Sequence, residues 1–234
     1  MKTITPFSLA NHHFPKRRLY KTVTDTNDQL KPEHFLRTDE ADDKFFYDQP
    51  RLVTHIDDPA CDALNNYFRK HLPPAGDLLD LMSSCVSHLP WDREYKSVTG
   101  VGMNQVELDD NEQLTERLVH DLNKNPNLPI PDHSFDACIL TVSVQYLTQP
   151  IEVFREIARV LRPGCRCIIS FSNRCFPTKA IALWQQMNDI DHAKLVGYYF
   201  NEAHAFETPG FENISPAPGN SDPLFIVTAV TKQK

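Results

Sequence analysis

Asp80 stands inside the apolar run Leu78-Leu79-Asp80-Leu81 and is followed by Met82, Ser83, Ser84 and Cys85, with Pro90 closing the stretch. A strand that carries a carboxylate near its end and spills into a loop of small residues is where an α/β sheet holds a nucleotide, since ligands sit outside the carboxyl ends of the strands. The carboxylate accepts hydrogen bonds, and the hydroxyls of Ser83 and Ser84 both donate and accept them. No glycine follows Asp80 here, although glycine is the residue that lets backbone approach a ligand closely. Two imidazoles flank the region: His55 precedes the first helix and His88 follows the loop. Imidazole titrates near neutral pH, so each is a candidate general base, with a hydrogen-bonded structural histidine as the alternative. Of the six cysteines, Cys85 lies in the loop, while Cys165, Cys167 and Cys175 lie on or beyond a strand and read as packing residues, with no metal site assigned.

The pattern around these groups predicts alternating strands and helices. Asp58-Pro59 reads as an N-cap followed by a first-turn proline, and Leu64, Tyr67, Phe68 and His71 share a helix face that stops at Pro73-Pro74. Strands are predicted at Leu78 to Leu81, with a short helix after it, then at Lys96 to Val101, at Leu118-Val119 leading into Asp121, and at Phe135 to Val144. The last is apolar on both faces, as a buried parallel strand requires. Pro150 opens an amphipathic helix with Ile151, Phe154, Ile157, Ala158 and Leu161 on one face, stopped by Arg162-Pro163-Gly164. Arg166 to Phe171 and Phe225 to Val230 complete the strands. Such alternation implies a doubly wound, mostly parallel sheet with helices on both faces.

Bulk properties narrow the function. The 234 residues suit one domain, and 41% hydrophobic with 24% charged residues is a globular composition. A net charge of −7 speaks against a nucleic-acid partner, for which Lys16-Arg17-Arg18 is too short a basic run. No apolar stretch reaches the roughly 20 residues of a membrane helix, and the beginning of the chain lacks a signal-peptide core. Six cysteines without paired spacing suggest reduced thiols. The expectation is a soluble, cytoplasmic protein.

Three segments resemble a known family. Leu78-Leu79-Asp80-Leu81, Ser134-Phe135-Asp136-Ala137-Cys138-Ile139-Leu140, and the helix and turn from Val153 to Gly164, ending Val-Leu-Arg-Pro-Gly, are together similar to the class I S-adenosylmethionine-dependent methyltransferases in their small-molecule type 11 branch, here with a glycine-free first motif. The resemblance implies a seven-stranded Rossmann-like sheet with an antiparallel last strand and S-adenosylmethionine at the carboxyl ends of strands one to four. It divides the chain into a polar arm (1–44) and a methyltransferase-like domain (45–234). Within that domain it implies a lid and first helix (45–74), a cofactor-binding core (75–174), a substrate cap (175–222) and a final strand (223–234). Asp80 then matches the acid near the methionine end of the cofactor, Met82, Ser84 and Val86 fill glycine positions, and Ser83 and Ser84 offer hydroxyls instead.

Gly102 occupies the place of the acid that accepts the ribose hydroxyls, with Met103 beside the adenine and Asn104 or Glu107 as replacements for the acid. The loss of a charge-assisted hydrogen bond of about 1.5–3 kcal/mol must be compensated there. Asp121 and Leu122 match the acid and apolar residue that hold adenine, and Thr141-Val142-Ser143 the cofactor-facing turn. Gln145 and Tyr146 then face substrate. In the resembling enzymes the region of Phe45 to Arg51 closes over the ligands, so Tyr47 and Arg51 are implied contacts, Arg51 suiting a carboxylate. The function implied is methyl transfer to a small molecule, with His55, His88 or Tyr146 assisting an acceptor that loses a proton. The alternative is an inactive methyltransferase-like protein that binds cofactor or a protein partner. The acceptor's identity and the oligomeric state stay open.

Overall fold

The computed structural model describes residues 30–233 and the backbone of a two-residue strand, His12–His13. The rest of the arm up to position 29 lies outside the described residues. The sheet is built from β1 (Asp77–Leu81), β2 (Ser97–Gly102), β3 (Glu116–Val119), β4 (Phe135–Thr141), β5 (Leu161–Phe171), β6 (Gly210–Asn213) and β7 (Phe225–Val230). Its order is β6-β7-β5-β4-β1-β2-β3, with His12–His13 paired antiparallel outside β6. β7 runs antiparallel to both neighbours, and the pairs among β1 to β5 are parallel. The helices are α1 (Asp43–Tyr47), α2 (Asp58–His71), α3 (Gln105–Asp110), α4 (Pro150–Val160), α5 (Ala182–Gln185) and α6 (Asp189–Glu202).

Strand alternation sorts the core into two layers. Leu78, Val98, Ala137, Ile139 and Ile168 pack with Leu64, Tyr67 and Phe68 of α2 on one face. Leu79, Leu81, Cys138, Leu140 and Ile169 pack with Phe154 and Ile157 of α4 and Leu195 and Phe200 of α6 on the other. Both faces of the central strands are therefore dry, which is why they read as continuous apolar runs. The Val-Leu-Arg-Pro-Gly segment earns its regularity here: Leu161 is fully buried, and the Arg162 guanidinium reaches Asp136 of β4 at 2.7 Å and Asp77 of β1 at 3.2 Å, tying three strands together at their amino ends.

Several local expectations are corrected. Asp57, not Asp58, caps α2, its carboxylate accepting from the Ala60 amide at 3.0 Å. No helix forms between β1 and β2, because residues 82–96 wrap inward around a buried carboxylate described below. β4 stops at Thr141, since Val142 turns to φ 48°, and a 3₁₀ turn follows at Val144–Tyr146. The stretch 175–222 supplies α5, α6 and the sheet strand β6, so much of it belongs to the core layers.

Residues 30–51 lie across the carboxyl ends of the strands and are fastened by a buried ion cluster. Asp43, 5% exposed, receives two hydrogen bonds from Arg37 at 2.8 and 2.7 Å, one from Asn123 at 2.9 Å, and the ammonium of Lys179 at 3.0 Å. Lys179 is fully buried and also reaches Asp39 at 3.0 Å and the Ala41 carbonyl at 2.9 Å. Burial pushes the Asp43 carboxyl up, but the hydrogen bonds from Arg37, Asn123 and Lys179 outweigh it and hold the group below the usual carboxylate range. Its stabilising contribution is thus present above the unfolded-state pKa and is lost as pH falls below it. Asp43→Ala leaves two cations buried without their shared partner and is expected to cost about 3–5 kcal/mol. Urea denaturation checks this, and the deficit is expected to shrink toward pH 3.

Candidate functional site

A cleft opens at the carboxyl ends of β1, β2 and β4, roofed by α1 and the irregular segment 48–57. Its deepest polar group is Asp80, 2% exposed, whose Oδ2 accepts from the hydroxyls of Ser83 and Ser87, each at 2.6 Å. Asn111 donates in turn to Ser87 Oγ at 3.0 Å and to the Ser84 carbonyl at 2.9 Å. Burial drives the Asp80 carboxyl up to about 6 against the lowering effect of the two serines.

The loop after β1 has the backbone of a glycine loop without the glycines. Met82 has φ 58° and His88 φ 57°, and Val142 across the cleft has φ 48°. All three line the same cavity. Left-handed backbone costs a side-chain-bearing residue roughly 1–2 kcal/mol, and most for a β-branched one. Strain of this kind persists where the surroundings impose it, and it collects at functional sites.

Sterics account for the glycine at the end of β2. A Cβ at this position would lie 2.3 Å from the Ser83 carbonyl oxygen, and Ser83 also donates its amide to the Val101 carbonyl at 2.8 Å. The loop that wraps Asp80 presses on β2, so no side chain fits at position 102. Glu107, 7% exposed and lining the cleft, is the nearest carboxylate on α3. It accepts from Ser84 Oγ at 2.7 Å and from the Arg51 amide at 2.7 Å, joining the loop to the roof. Asn104 does not line the cleft. Its Oδ1 caps α3, and its Nδ2 donates to the carbonyls of Tyr47 and Asp48 at 2.7 and 3.1 Å, so it supports the roof.

The other residues singled out by sequence, Tyr47, Arg51, His55, Met103, Asp121, Leu122, Thr141 and Tyr146, line the cleft together with those above. Asp121 accepts from the amides of Asn123 and Lys124 at 2.9 and 3.2 Å, an Asx turn that presents it at the cavity edge. Arg51 gives Nη2 to the Phe46 carbonyl at 2.9 Å and lies over the rings of Phe46 and Phe176, 4.4 and 5.2 Å from their centroids. It pairs with no carboxylate among the described residues. Thr141 Oγ1 and Ser143 Oγ are buried at the end of β4 without a hydrogen-bond partner among the described residues.

The imidazoles are held neutral. Burial lowers His88 to about 4, with His55 adding to the effect, and burial lowers His55 while Glu107 opposes it. The Tyr146 hydroxyl accepts from the Phe176 amide at 2.8 Å, and burial pushes its pKa up to about 12. Near neutral pH it is a donor and not a base.

Asp43, Asn123 and Phe176 also line the cleft and escaped the sequence reading. Asp43 hid in the acidic run from Asp39, which looks solvated. Asn123 follows Asp121-Leu122 directly, and its side chain bridges Asp43 and the Tyr146 carbonyl, at 2.9 and 3.0 Å.

Two outcomes test this geometry. Gly102→Ala forces Cβ into the Ser83 carbonyl and is expected to destabilise by about 1–3 kcal/mol, read by thermal or chemical denaturation. Asp80 binds its proton more tightly in the folded state, so this group's contribution is full below the unfolded pKa and stability declines as pH rises from about 4 to about 6. Asn at this position still accepts from both serines, so the stability of Asp80→Asn relative to the unmodified chain is expected to rise by up to about 3 kcal/mol between pH 4 and pH 7. An unchanged difference across that range contradicts the buried, protonatable Asp80.

Residues 82–169 match the family model of the methyltransferase domain. Over 51 residues the chain is 37% identical to the biotin biosynthesis bifunctional protein BioHC of Teredinibacter turnerae, a stretch that covers 22% of this chain and only 9% of that protein. Among solved structures, the complex of the Haloferax volcanii Trm112 methyltransferase activator with its putative methyltransferase superposes with a TM-score of 0.57 at 16% identity, covering 76% of this chain and 91% of that one. The [4+2]-cyclase SpnF gives 0.55 at 18% identity over 74% and 82%. A Thermotoga maritima S-adenosylmethionine-dependent methyltransferase, described as a possible histamine N-methyltransferase, gives 0.52 at 15% identity over 73% and 89%. The 3-2-1-4-5-7-6 strand order and these superpositions give the chain the Rossmann-like fold of the solved methyltransferases, and residues 82–169 match the methyltransferase domain.

Proposed function

We propose that this chain transfers a methyl group from S-adenosylmethionine to a small molecule. The observation that carries the proposal is the cleft at the ends of β1, β2 and β4, where three non-glycine residues hold left-handed backbone around polar groups of both charges. Its residues fit the cofactor. Val101, Met103 and Leu122 offer apolar surface to a purine, with Asp121 at the edge. Glu107 already accepts from the Arg51 amide and Ser84 Oγ, and its remaining lone pairs suit ribose hydroxyls where Gly102 carries no carboxylate. Arg51 suits a carboxylate, and the hydroxyls of Thr141 and Ser143, without a hydrogen-bond partner among the described residues, suit polar groups of a ligand.

S-adenosylmethionine, when bound, supplies an electrophilic methyl on a sulfonium that leaves as a neutral thioether. The chain's own task is to align the acceptor and exclude water, which accounts for the lack of a dedicated catalytic motif. The roof held by Asp43, Asn104 and Glu107 does the second. His55, neutral near pH 7, is placed to take a proton from an oxygen or nitrogen acceptor, burial leaves His88 the weaker base, and Tyr146 keeps its proton and donates a hydrogen bond.

A specific set of contacts favours a second reading, a methyltransferase-like protein that binds cofactor or a partner without transfer. Ser83 and Ser84 spend their hydroxyls on Asp80 and Glu107, leaving the loop fewer donors for a ligand.

Calorimetry with S-adenosylmethionine and S-adenosylhomocysteine separates these possibilities. Binding weakened about ten-fold or more by Asp121→Ala, a loss of roughly 1.4 kcal/mol, supports the cofactor site. Absence of binding at millimolar ligand sinks it, and measured turnover removes the second reading. His55→Ala is expected to slow transfer to an oxygen or nitrogen acceptor by about 10²-fold. Because burial lowers the His55 pKa, base-assisted turnover is expected to persist below about pH 6.5.

A further inference from the structure

Behind the wall made by His55, Ile56, Val142, Tyr146 and Phe176 lies a second pocket that shares those side chains with the cleft. Its volume of about 380 Å³ falls in the range of small-molecule sites, roughly 300–1,000 Å³. Thr54, Asp57, Arg174, Cys175 and Asp222 complete its lining. On the methyltransferase reading above, we infer that this pocket holds the acceptor and selects a small anion with a flat apolar body.

The charge preference follows from which groups are already spent. Asp57 Oδ1 accepts from the Ala60 amide at 3.0 Å and Oδ2 from the Asp222 amide at 2.7 Å. Asp222 Oδ2 accepts from the Asp57 amide at 3.0 Å, and Oδ1 accepts from Arg174 Nε at 2.8 Å. Every carboxylate oxygen of the pocket therefore already holds a donor, in a reciprocal pair that joins the start of α2 to the segment before β7. Arg174 spends Nε alone. Its two Nη groups make no hydrogen bond among the described residues, and the side chain is 61% exposed at the pocket mouth.

Arg51 stands on the cleft side of the Phe176 ring with no carboxylate partner among the described residues. The imidazoles facing the wall, His55 and His88, add no positive charge near neutral pH. The unpartnered N–H donors on charged groups at the pocket are thus those of a guanidinium, and one whose two Nη groups make no hydrogen bond among the described residues forms the fork that takes a carboxylate. The shape preference comes from the wall. Tyr146 and Phe176 stack with centroids 5.8 Å apart and planes 26° apart, and His55 meets Phe176 edge-on at 5.4 Å. Flat rings pack well against such a surface, whereas a bulky branched body does not. The acceptor's carboxylate then sits at the mouth on Arg174, and its far end lies against the aromatic side chains that the pocket shares with the cleft.

The test uses three probes with one ring and different charge: 4-hydroxybenzoate, 4-hydroxybenzamide and 4-hydroxybenzylamine. Their binding is measured by calorimetry on the full chain at saturating S-adenosylhomocysteine. The benzoate is expected to bind at least ten-fold tighter than the other two. Arg174→Ala is expected to erase that margin and Arg174→Lys to keep part of it, with S-adenosylhomocysteine affinity unchanged in both and thermal melting confirming that both fold. Equal affinities, preference for the amine, a margin that survives Arg174→Ala, or binding of none of the three overturns the inference. Cofactor binding without charge preference overturns the inference alone. Charge preference without cofactor binding keeps the anion pocket and sinks the methyltransferase reading.

Discussion

A carboxyl group buried at the end of the central strand must find hydrogen-bond donors, and most of the site follows from how Asp80 finds them. The two serines that satisfy it lie three and seven residues further on, so the chain has to curl inward rather than start a helix. That curl puts Met82 and His88 into left-handed backbone and drives the Ser83 carbonyl onto β2. Gly102 is then the residue that can stand opposite it, and a carboxylate at that position is sterically excluded. The carboxylate that lines the cleft beyond β2 is instead Glu107, in the first turn of α3. One buried acid thereby accounts for the inward curl of the loop, the strained backbone and the glycine at the end of β2.

The roof obeys the same rule with more charge. Asp43, Arg37, Lys179 and Asp39 form a cluster whose members are costly to bury singly and tolerable together. Its partners come from the segment 37–43, from the residues after β5 and, through Asn123, from the turn after β3. It therefore fastens the roof to both sides of the cleft at once. Such a cluster adds little net stability, but it gives the roof one position, which a site relying on alignment requires.

Much of the fold was legible in the chain. The apolar runs of β1, β4 and β7, the periodicity of α4 and the Val-Leu-Arg-Pro-Gly turn each state their own structure, because burial on both faces or on one stripe leaves a pattern in consecutive residues. The site was legible in outline: Asp80, Asp121 and the turn after β4 sit at strand ends, and position along the strand already places them at one edge of the sheet. What stayed hidden has no local signal. Asp43 sits in an acidic run that reads as solvated, Lys179 in a stretch with no motif, and the collision at Gly102 is between residues 19 apart in sequence.

By itself, then, the sequence determined the layers, the strand edge that bears the site and the residue types available there, since these follow from local periodicity and composition. Only the tertiary structure decided which of those residues are spent and which are free. Ser83, Ser84 and Asn104 looked available and are committed to Asp80, Glu107 and the roof, while among the described residues Arg51 meets no carboxylate and Thr141 Oγ1, Ser143 Oγ and the Nη groups of Arg174 meet no hydrogen-bond partner. Hydrogen-bond satisfaction is a property of neighbours in space, and no reading along the chain can balance donors against acceptors brought together by folding.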